Sequence, residues 1–270
     1  MSATSSEALR VAVCGIFGRV GTTVANAVAR EDGLALVGGV DIIASDDGFT
    51  AANGRTVITD TDLSALLSRT KTDVIIDFTR ADAARVNIRT ALEHGVHAVV
   101  GTTGMEIAEI EELGEVAAAN DLGLVVAPNF ALTAVLMMHV SKLIGKHMDY
   151  CDIVEYHHER KIDAPSGTAL QSAIDIREAR GSDFISVPTE KETLVGTRGG
   201  VHGGINVHAV RLPGMVAHQQ VVFGGLGQTL TIRQDSTSTE SFVPGVLMAV
   251  RAVQNLKGLT HGLDALLGLA

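Results

Sequence analysis

Short apolar runs alternate with helical periodicities through the first half of the chain. LRVAVC at 9–14 is a β-rich run that breaks at GIFGRVG and passes into the helical pattern TTVANAVARE. A second apolar run at 34–40 ends in Asp41. DVIID at 73–77 leads through Phe78-Thr79-Arg80 into another helical segment, and 97–100 runs into GTTG and then EIAEIEELGEVAAAN. LGLVVAP at 122–128 closes the series at Asn129-Phe130. Strand alternating with helix predicts an α/β fold, a Rossmann-like doubly wound parallel sheet. The near-continuous apolar character of these strands fits burial on both faces.

Beyond Phe130 the pattern changes. ALTAVLMMHVSKLIGKHM predicts a long helix and DIVEYHH a strand. INVHAVRL, QQVVFG and QTLTIRQ interleave polar with apolar positions, which predicts antiparallel strands with one wetter face in an α+β mixed-sheet domain. GTRGGVHGG at 196–204 is expected to be a loop. SFVPGVLMAVRAVQNL returns to helical periodicity, with Pro244 tolerated in the first turn.

Composition narrows the function classes. With 270 residues the chain can bury a substantial core, built from aliphatic side chains because Trp is absent. A net charge of −10 argues against nucleic-acid and anionic-membrane partners, both of which need a basic face. No apolar stretch reaches membrane-spanning length, and residues 1–7 read as a polar leader. The only cysteines, Cys14 and Cys151, lack CxxC spacing, so neither a disulfide framework nor a metal site is expected and the predicted compartment is the cytoplasm.

Two stretches carry chemistry. Gly15, Ile16, Phe17, Gly18, Arg19, Val20 and Gly21 follow a strand and open a helix, where glycines let the backbone approach a pyrophosphate and helix N–H groups meet its charge. Asp41 ends the next strand, where an acid accepts from the adenosine ribose 2′-hydroxyl. GTTG and APNF lie at later strand ends on the same predicted edge, which makes a cofactor crevice the better reading than plain turns. The second stretch is EYHHERKIDAPSGTAL at 155–170. His157 and His158 point to opposite faces if the strand runs through them. Lys161 follows in a polar segment, Asp163-Ala164-Pro165 turns the chain, and Ser166-Gly167-Thr168 starts a helix. Ser166 or Thr168 caps it, and the helix start with its hydroxyls offers an anion cradle beside a cation and a proton carrier. That combination points to reduction of a small polycarboxylate.

EYHHERKIDAPSGTA closely resembles the signature of the dihydrodipicolinate reductases, also described as 4-hydroxy-tetrahydrodipicolinate reductases. The glycine loop, DFT, GTTG, APNF and GQTLTIRQDS occur in that family's order, so the resemblance covers nearly the whole chain. One departure is Ile16, where the family usually has Ala, and crowding of the pyrophosphate turn is the expected consequence.

The resemblance implies a nucleotide domain of residues 1–130 and 241–270, and a substrate-binding and tetramerisation domain of residues 131–240 in a homotetramer. It implies catalysis by His157 and Lys161, with His158, Ser166, Gly167 and Thr168 on a dicarboxylate substrate. Gly15, Ile16, Phe17, Gly18, Arg19, Val20, Asp41, Gly101, Thr102, Thr103, Ala127, Pro128, Asn129 and Phe130 would contact the nicotinamide cofactor. No Lys or Arg follows Asp41 before Arg55, so NADH is expected to be preferred, with NADPH as the alternative. A dehydrogenase with a cysteine nucleophile is a rival with Cys151 as its one candidate. A cofactor-sensing regulator is another, and it would have no need of His157 and Lys161.

Overall fold

The computed structural model describes residues 8–269, so the leader at 1–7 lies outside the described residues. The chain divides into two compact units, one running to Phe130 and resuming at Phe242, the other spanning Ala131–Ser241.

The first unit opens with β1 (Leu9–Cys14), α1 (Arg19–Val28), β2 (Leu34–Val40), β3 (Phe49–Thr50) and β4 (Thr56–Asp60). It continues through α2 (Leu63–Arg69), β5 (Val74–Asp77), α3 (Ala81–Glu93), β6 (His97–Val100), α4 (Ile107–Ala119) and β7 (Gly123–Val126). The second unit holds α5 (Leu132–Gly145), β8 (Tyr150–His157), α6 (Gly167–Arg180), β9 (Gly200–His202), β10 (Ile205–Arg211), β11 (Ala217–Gly225) and β12 (Gln228–Ser236). After a 3-10 turn the chain returns to the first unit as α7 (Val243–Val253) and β13 (Gly258–His261), with Pro244 in the first turn of α7 as expected.

In the first unit the strand order is β13-β7-β6-β5-β1-β2-β4-β3, parallel except at β3–β4. The order reverses at β1, which lies between β2 and β5, and that reversal opens a ligand crevice beyond the strands' C-terminal ends. β1, β5, β6 and β7 are buried on both faces, which is why they read as continuous apolar runs. β4 alternates exposed and buried positions, and α2 is a two-turn helix capped by Asp62, which accepts from Ala65 N–H at 2.8 Å. Neither, nor β13, had been anticipated.

The second unit's sheet runs β12-β11-β8-β10-β9. β8 pairs antiparallel with β11, as do β11 with β12 and β10 with β9, but β10 runs parallel to β8. The sheet is mixed, as expected, but the antiparallel direction expected for β10 fails because the chain between β8 and β10 crosses over through α6, which returns it in the original direction. The expected loop at 196–204 also contains β9, an edge strand paired to β10. α5 and α6 cover one face, where Met137, Ile153, Ala173, Ile176, Val221 and Phe223 form the core.

Gly15 and Gly21 are fixed by the first turn. Gly15 has φ +80°, and a Cβ there would lie 2.7 Å from Phe78 O. A Cβ on Gly21 would lie 1.9 Å from Gly15 O, so only glycine lets α1 seat against the loop. Gly21→Ala is expected to lower the unfolding free energy by about 1–3 kcal/mol. Urea denaturation measures this, and wild-type stability in the variant would contradict the packing described.

Candidate active site

The first unit assembles its strand-end loops around the reversal at β1. Phe17 N–H donates to Asp41 Oδ2 at 3.0 Å and Ile43 N–H to Oδ1 at 3.4 Å, tying the acid at the end of β2 to the glycine loop. Gly18 and Arg19 are exposed at the start of α1, where the first-turn N–H groups have no intrahelical acceptor. Ile16 is fully buried over Gly39, whose Cβ would fall 2.4 Å from Ile16 Cδ1. The expected crowding of the turn is therefore not seen, because that side chain points into the core and only its backbone faces the loop. Gly101 lies under the Phe78 ring, which meets Phe130 edge-on at 5.8 Å. Thr102 is buried, with its hydroxyl turned inward, whereas Thr103 and Pro128 are exposed and Asn129 half-exposed. Ala127 and Phe130 are buried and contribute backbone to the edge.

The second unit builds its site on the end of β8. Glu155 is fully buried and faces the helices, as do Ile153 and Cys151 two and four residues earlier on the strand. A buried carboxylate needs partners, and it has four donors. Arg211, at the end of β10, gives Oε1 and Oε2 a two-pronged contact at 2.8 and 2.9 Å. Ser166 N–H donates to Oε1 at 3.1 Å, and His157 Nδ1 meets Oε2 at 2.5 Å. Burial pushes the Glu155 carboxyl up, but the hydrogen bonds from His157, Arg211 and Ser166 outweigh it and hold the group below the usual range.

Each neighbour is oriented by that hub. His157 gives its Nδ1–H to Glu155, so Nε2 is the nitrogen left for chemistry. His158 has the opposite arrangement, because Arg160 N–H donates to its Nδ1 at 3.2 Å and the ring proton of neutral His158 must sit on Nε2. Arg211 also donates to Asp163 O at 2.7 Å, pinning the DAPSGT turn. Lys161 Nζ lies 2.8 Å from Asp163 Oδ1, which holds that carboxyl below its ordinary range. Ser166 is the cap of α6, accepting from Ala169 N–H at 3.2 Å, so both its hydroxyl and its N–H are engaged within the fold. Gly167 and Thr168 supply the free first-turn N–H groups, and a Cβ on Gly167 would meet nothing within 4 Å, which leaves room for an anion.

His157, His158, Lys161, Ser166, Gly167 and Thr168 thus occupy one loop cluster at the end of β8. Glu155 and Arg211 were missed as functional residues. The buried parity of Glu155 with Cys151 and Ile153 was a usable signal for the first. Arg211 is 56 residues from its partner, and no local pattern joins the two.

Cys151 is buried, and burial followed by the nearby Asp152 charge pushes its thiol up to about 12, so it offers no thiolate nucleophile. Cys14 is likewise buried, with its thiol raised well above its ordinary value.

A parallel sheet with a glycine-loop crevice, joined in one chain to a mixed sheet bearing a His–Lys–anion-cradle cluster, defines a dinucleotide-dependent oxidoreductase of two units. Residues 9–130 match the family model described as dihydrodipicolinate reductase, N-terminus, and residues 131–267 match dihydrodipicolinate reductase, C-terminus. The chain belongs to the dihydrodipicolinate reductase family, whose members use a pyridine nucleotide. It is 44% identical over 262 residues to a 4-hydroxy-tetrahydrodipicolinate reductase of Dehalococcoides mccartyi, covering 97% of this chain and 99% of that one. The enzyme of the same name from Moorella thermoacetica is 43% identical over 265 residues, covering 96% and 98%. A dipicolinate-bound dihydrodipicolinate reductase from Paenisporosarcina sp. TG-14 superposes with a TM-score of 0.86 at 38% identity, covering 96% of this chain and 99% of that one. An amine dehydrogenase from Mycobacterium smegmatis, 12% identical with a TM-score of 0.64, shares the fold alone.

Glu155→Gln takes the ionised acceptor away from the half-buried Arg211 and is expected to cost about 1.5–3 kcal/mol of stability by urea unfolding. Because the folded carboxyl titrates below its unfolded value, that difference should be full above the ordinary glutamate range, about pH 4.3, and shrink only as pH falls below it. A difference that closes well above that range would contradict the assignment.

Proposed function

We propose that the chain catalyses the NAD(P)H-dependent reduction of 4-hydroxy-tetrahydrodipicolinate to tetrahydrodipicolinate, with loss of water, in diaminopimelate and lysine biosynthesis. One observation carries this reading: a buried carboxylate holds both a histidine in one orientation and the start of a helix with free N–H groups, and a lysine lies in the loop that joins them. That set suits a dicarboxylate that must be protonated as it is reduced. The names of the relatives supply the substrate.

Gly167 and Thr168 N–H groups and the Nε2–H of His158 bind the substrate carboxylates, while Ser166 shapes the cradle as its cap. At Gly15, Gly18 and Gly21 a Cβ would meet the backbone of Phe78 or Gly15, so the glycines permit the tight turn into α1 that fits a pyrophosphate. Phe17, Arg19, Val20, Asp41, Gly101 to Thr103 and Ala127 to Phe130 complete the dinucleotide site, Ile16 through its backbone. When bound, the nicotinamide supplies the hydride. Charge left on the conjugated substrate is quenched by a proton from His157 Nε2 or Lys161, and Glu155 stabilises the imidazolium before that transfer. Exchange of protons with solvent restores both groups.

Asp41 selects the cofactor in this reading. Its carboxylate accepts from a free ribose hydroxyl and repels a phosphate, and it is followed by Ile42 and Ile43, which are 91% and 68% exposed and carry no charge. NADH is therefore the preferred cofactor. A homotetramer and a cytoplasmic location belong to the same proposal. The first is supported by the sheet face of the second unit that α5 and α6 do not cover, where Val154, Tyr156 and Val222 are half-buried, and the second by the two free cysteines. Among the described residues no helix is long and apolar enough to cross a membrane.

His157→Ala and Lys161→Ala are each expected to lower kcat by about 10²–10⁴-fold while leaving NADH binding unchanged, as steady-state kinetics and fluorescence titration would show. Near-wild-type turnover in both would remove the proposal's basis. A kcat/KM that favours NADPH over NADH at saturating substrate would show that Asp41 does not read the ribose.

A further inference from the structure

Asp77 ends β5 with a fully buried carboxylate, and no ion pair to it is found among the described residues. Its donors are neutral. Thr79 N–H, the Thr79 hydroxyl and the Thr102 hydroxyl converge on Oδ1 at 3.0, 2.7 and 2.6 Å, and Asn87 Nδ2 of α3 meets Oδ2 at 2.8 Å. A buried carboxylate without a cation is costly, and an apolar residue would serve a plain core better. What its donors accomplish is local order on the cofactor edge.

Thr102 is the centre of that order. Its hydroxyl gives its proton to Asp77 and accepts from Thr79 N–H at 2.8 Å. With the residue only 7% exposed, the hydroxyl has nothing left to offer a ligand. The contact joins two neighbouring strand ends, the DFT loop after β5 and the GTTG loop after β6. Gly101 N–H adds a main-chain bond to Asp77 O at 2.9 Å, and the Phe78 ring lies where a Cβ on Gly101 would be, 2.1 Å away. Hydrogen bonds to an ionised acceptor are shorter and stronger than neutral ones, so the charge fixes two hydroxyl rotors that a neutral acceptor would hold loosely. Asn87 sets the plane of the carboxylate from the helix behind.

We infer that Asp77 is a positioning residue for the dinucleotide: acting through Thr102 and Thr79, it locks the GTTG loop to the neighbouring DFT loop. This rests on the reading above that the GTTG loop carries the cofactor, and it reassigns the Thr102 side chain from a ligand contact to the bolt between loops.

The test compares Thr102→Val, which keeps the shape and removes the hydroxyl, with Thr102→Ser, which restores it. In the full-length enzyme, Thr102→Val should raise the NADH dissociation constant and KM about tenfold, the equivalent of one buried hydrogen bond. Binding of pyridine-2,6-dicarboxylate should stay at the wild-type value, and Thr102→Ser should recover most of the NADH affinity. Asp77→Asn, which keeps the volume and removes the charge, should weaken NADH in the same direction and serves if Thr102→Val does not fold. Wild-type NADH affinity in Thr102→Val and Asp77→Asn overturns the inference, as does a Ser variant no better than Val, or equal weakening of both ligands. A wild-type enzyme that takes up no NADH overturns it together with the cofactor reading, which separates the two failures.

Discussion

A carboxylate shut away from water at the end of β8 organises the chemistry of the second unit. Glu155 cannot stay charged there unless its oxygens are filled, and the fold brings three elements to fill them: Arg211 from β10, the N–H of Ser166 at the start of α6, and the imidazole of His157. The pairing of β10 with β8 sets Arg211 directly opposite His157, so the parallel register places the guanidinium. The same guanidinium holds Asp163 O, and through that turn the anion cradle at Gly167 is set next to the histidine. One buried charge thus sets the ring orientation of His157, the mouth of a helix and the course of the loop between them.

The first unit meets its need differently, with main chain and glycine. Its crevice follows from strand order, since β1 lies where the sheet reverses. The loops that rim it are drawn close by missing side chains at Gly15, Gly21 and Gly101 and by the Asp77 cluster. In each unit a carboxylate with no exposure fixes polar groups at strand ends. Glu155 does so with a cation as counterpart, whereas Asp77 does so with hydroxyls and amides.

Legibility in the sequence tracked distance along the chain. β1, β5, β6 and β7 were readable because burial on both faces leaves unbroken apolar runs, β2 because its run is apolar throughout, and the glycine loop and DAPSGT segment because their parts are consecutive. α2 and β4 are short, and the alternation in β4 spans too few residues to stand out. The direction of β10 is set by a crossover through α6, which no periodicity within β10 records. Arg211 looked like any strand-end arginine until folding set it against Glu155. Thr102 sat in a recognisable GTTG, but only the structure shows that its hydroxyl turns inward to Asp77.

Glu155 fixes His157 with Nδ1 protonated, which in the proposed mechanism leaves Nε2 to carry the proton. Nitrogen-15 NMR of the His157 ring in the neutral form tests this most directly. A protonated, pyrrole-type Nδ1 with a pyridine-type Nε2, lost in Glu155→Gln, is the predicted result. A ring protonated at Nε2, or a tautomer mixture indifferent to that substitution, would contradict it.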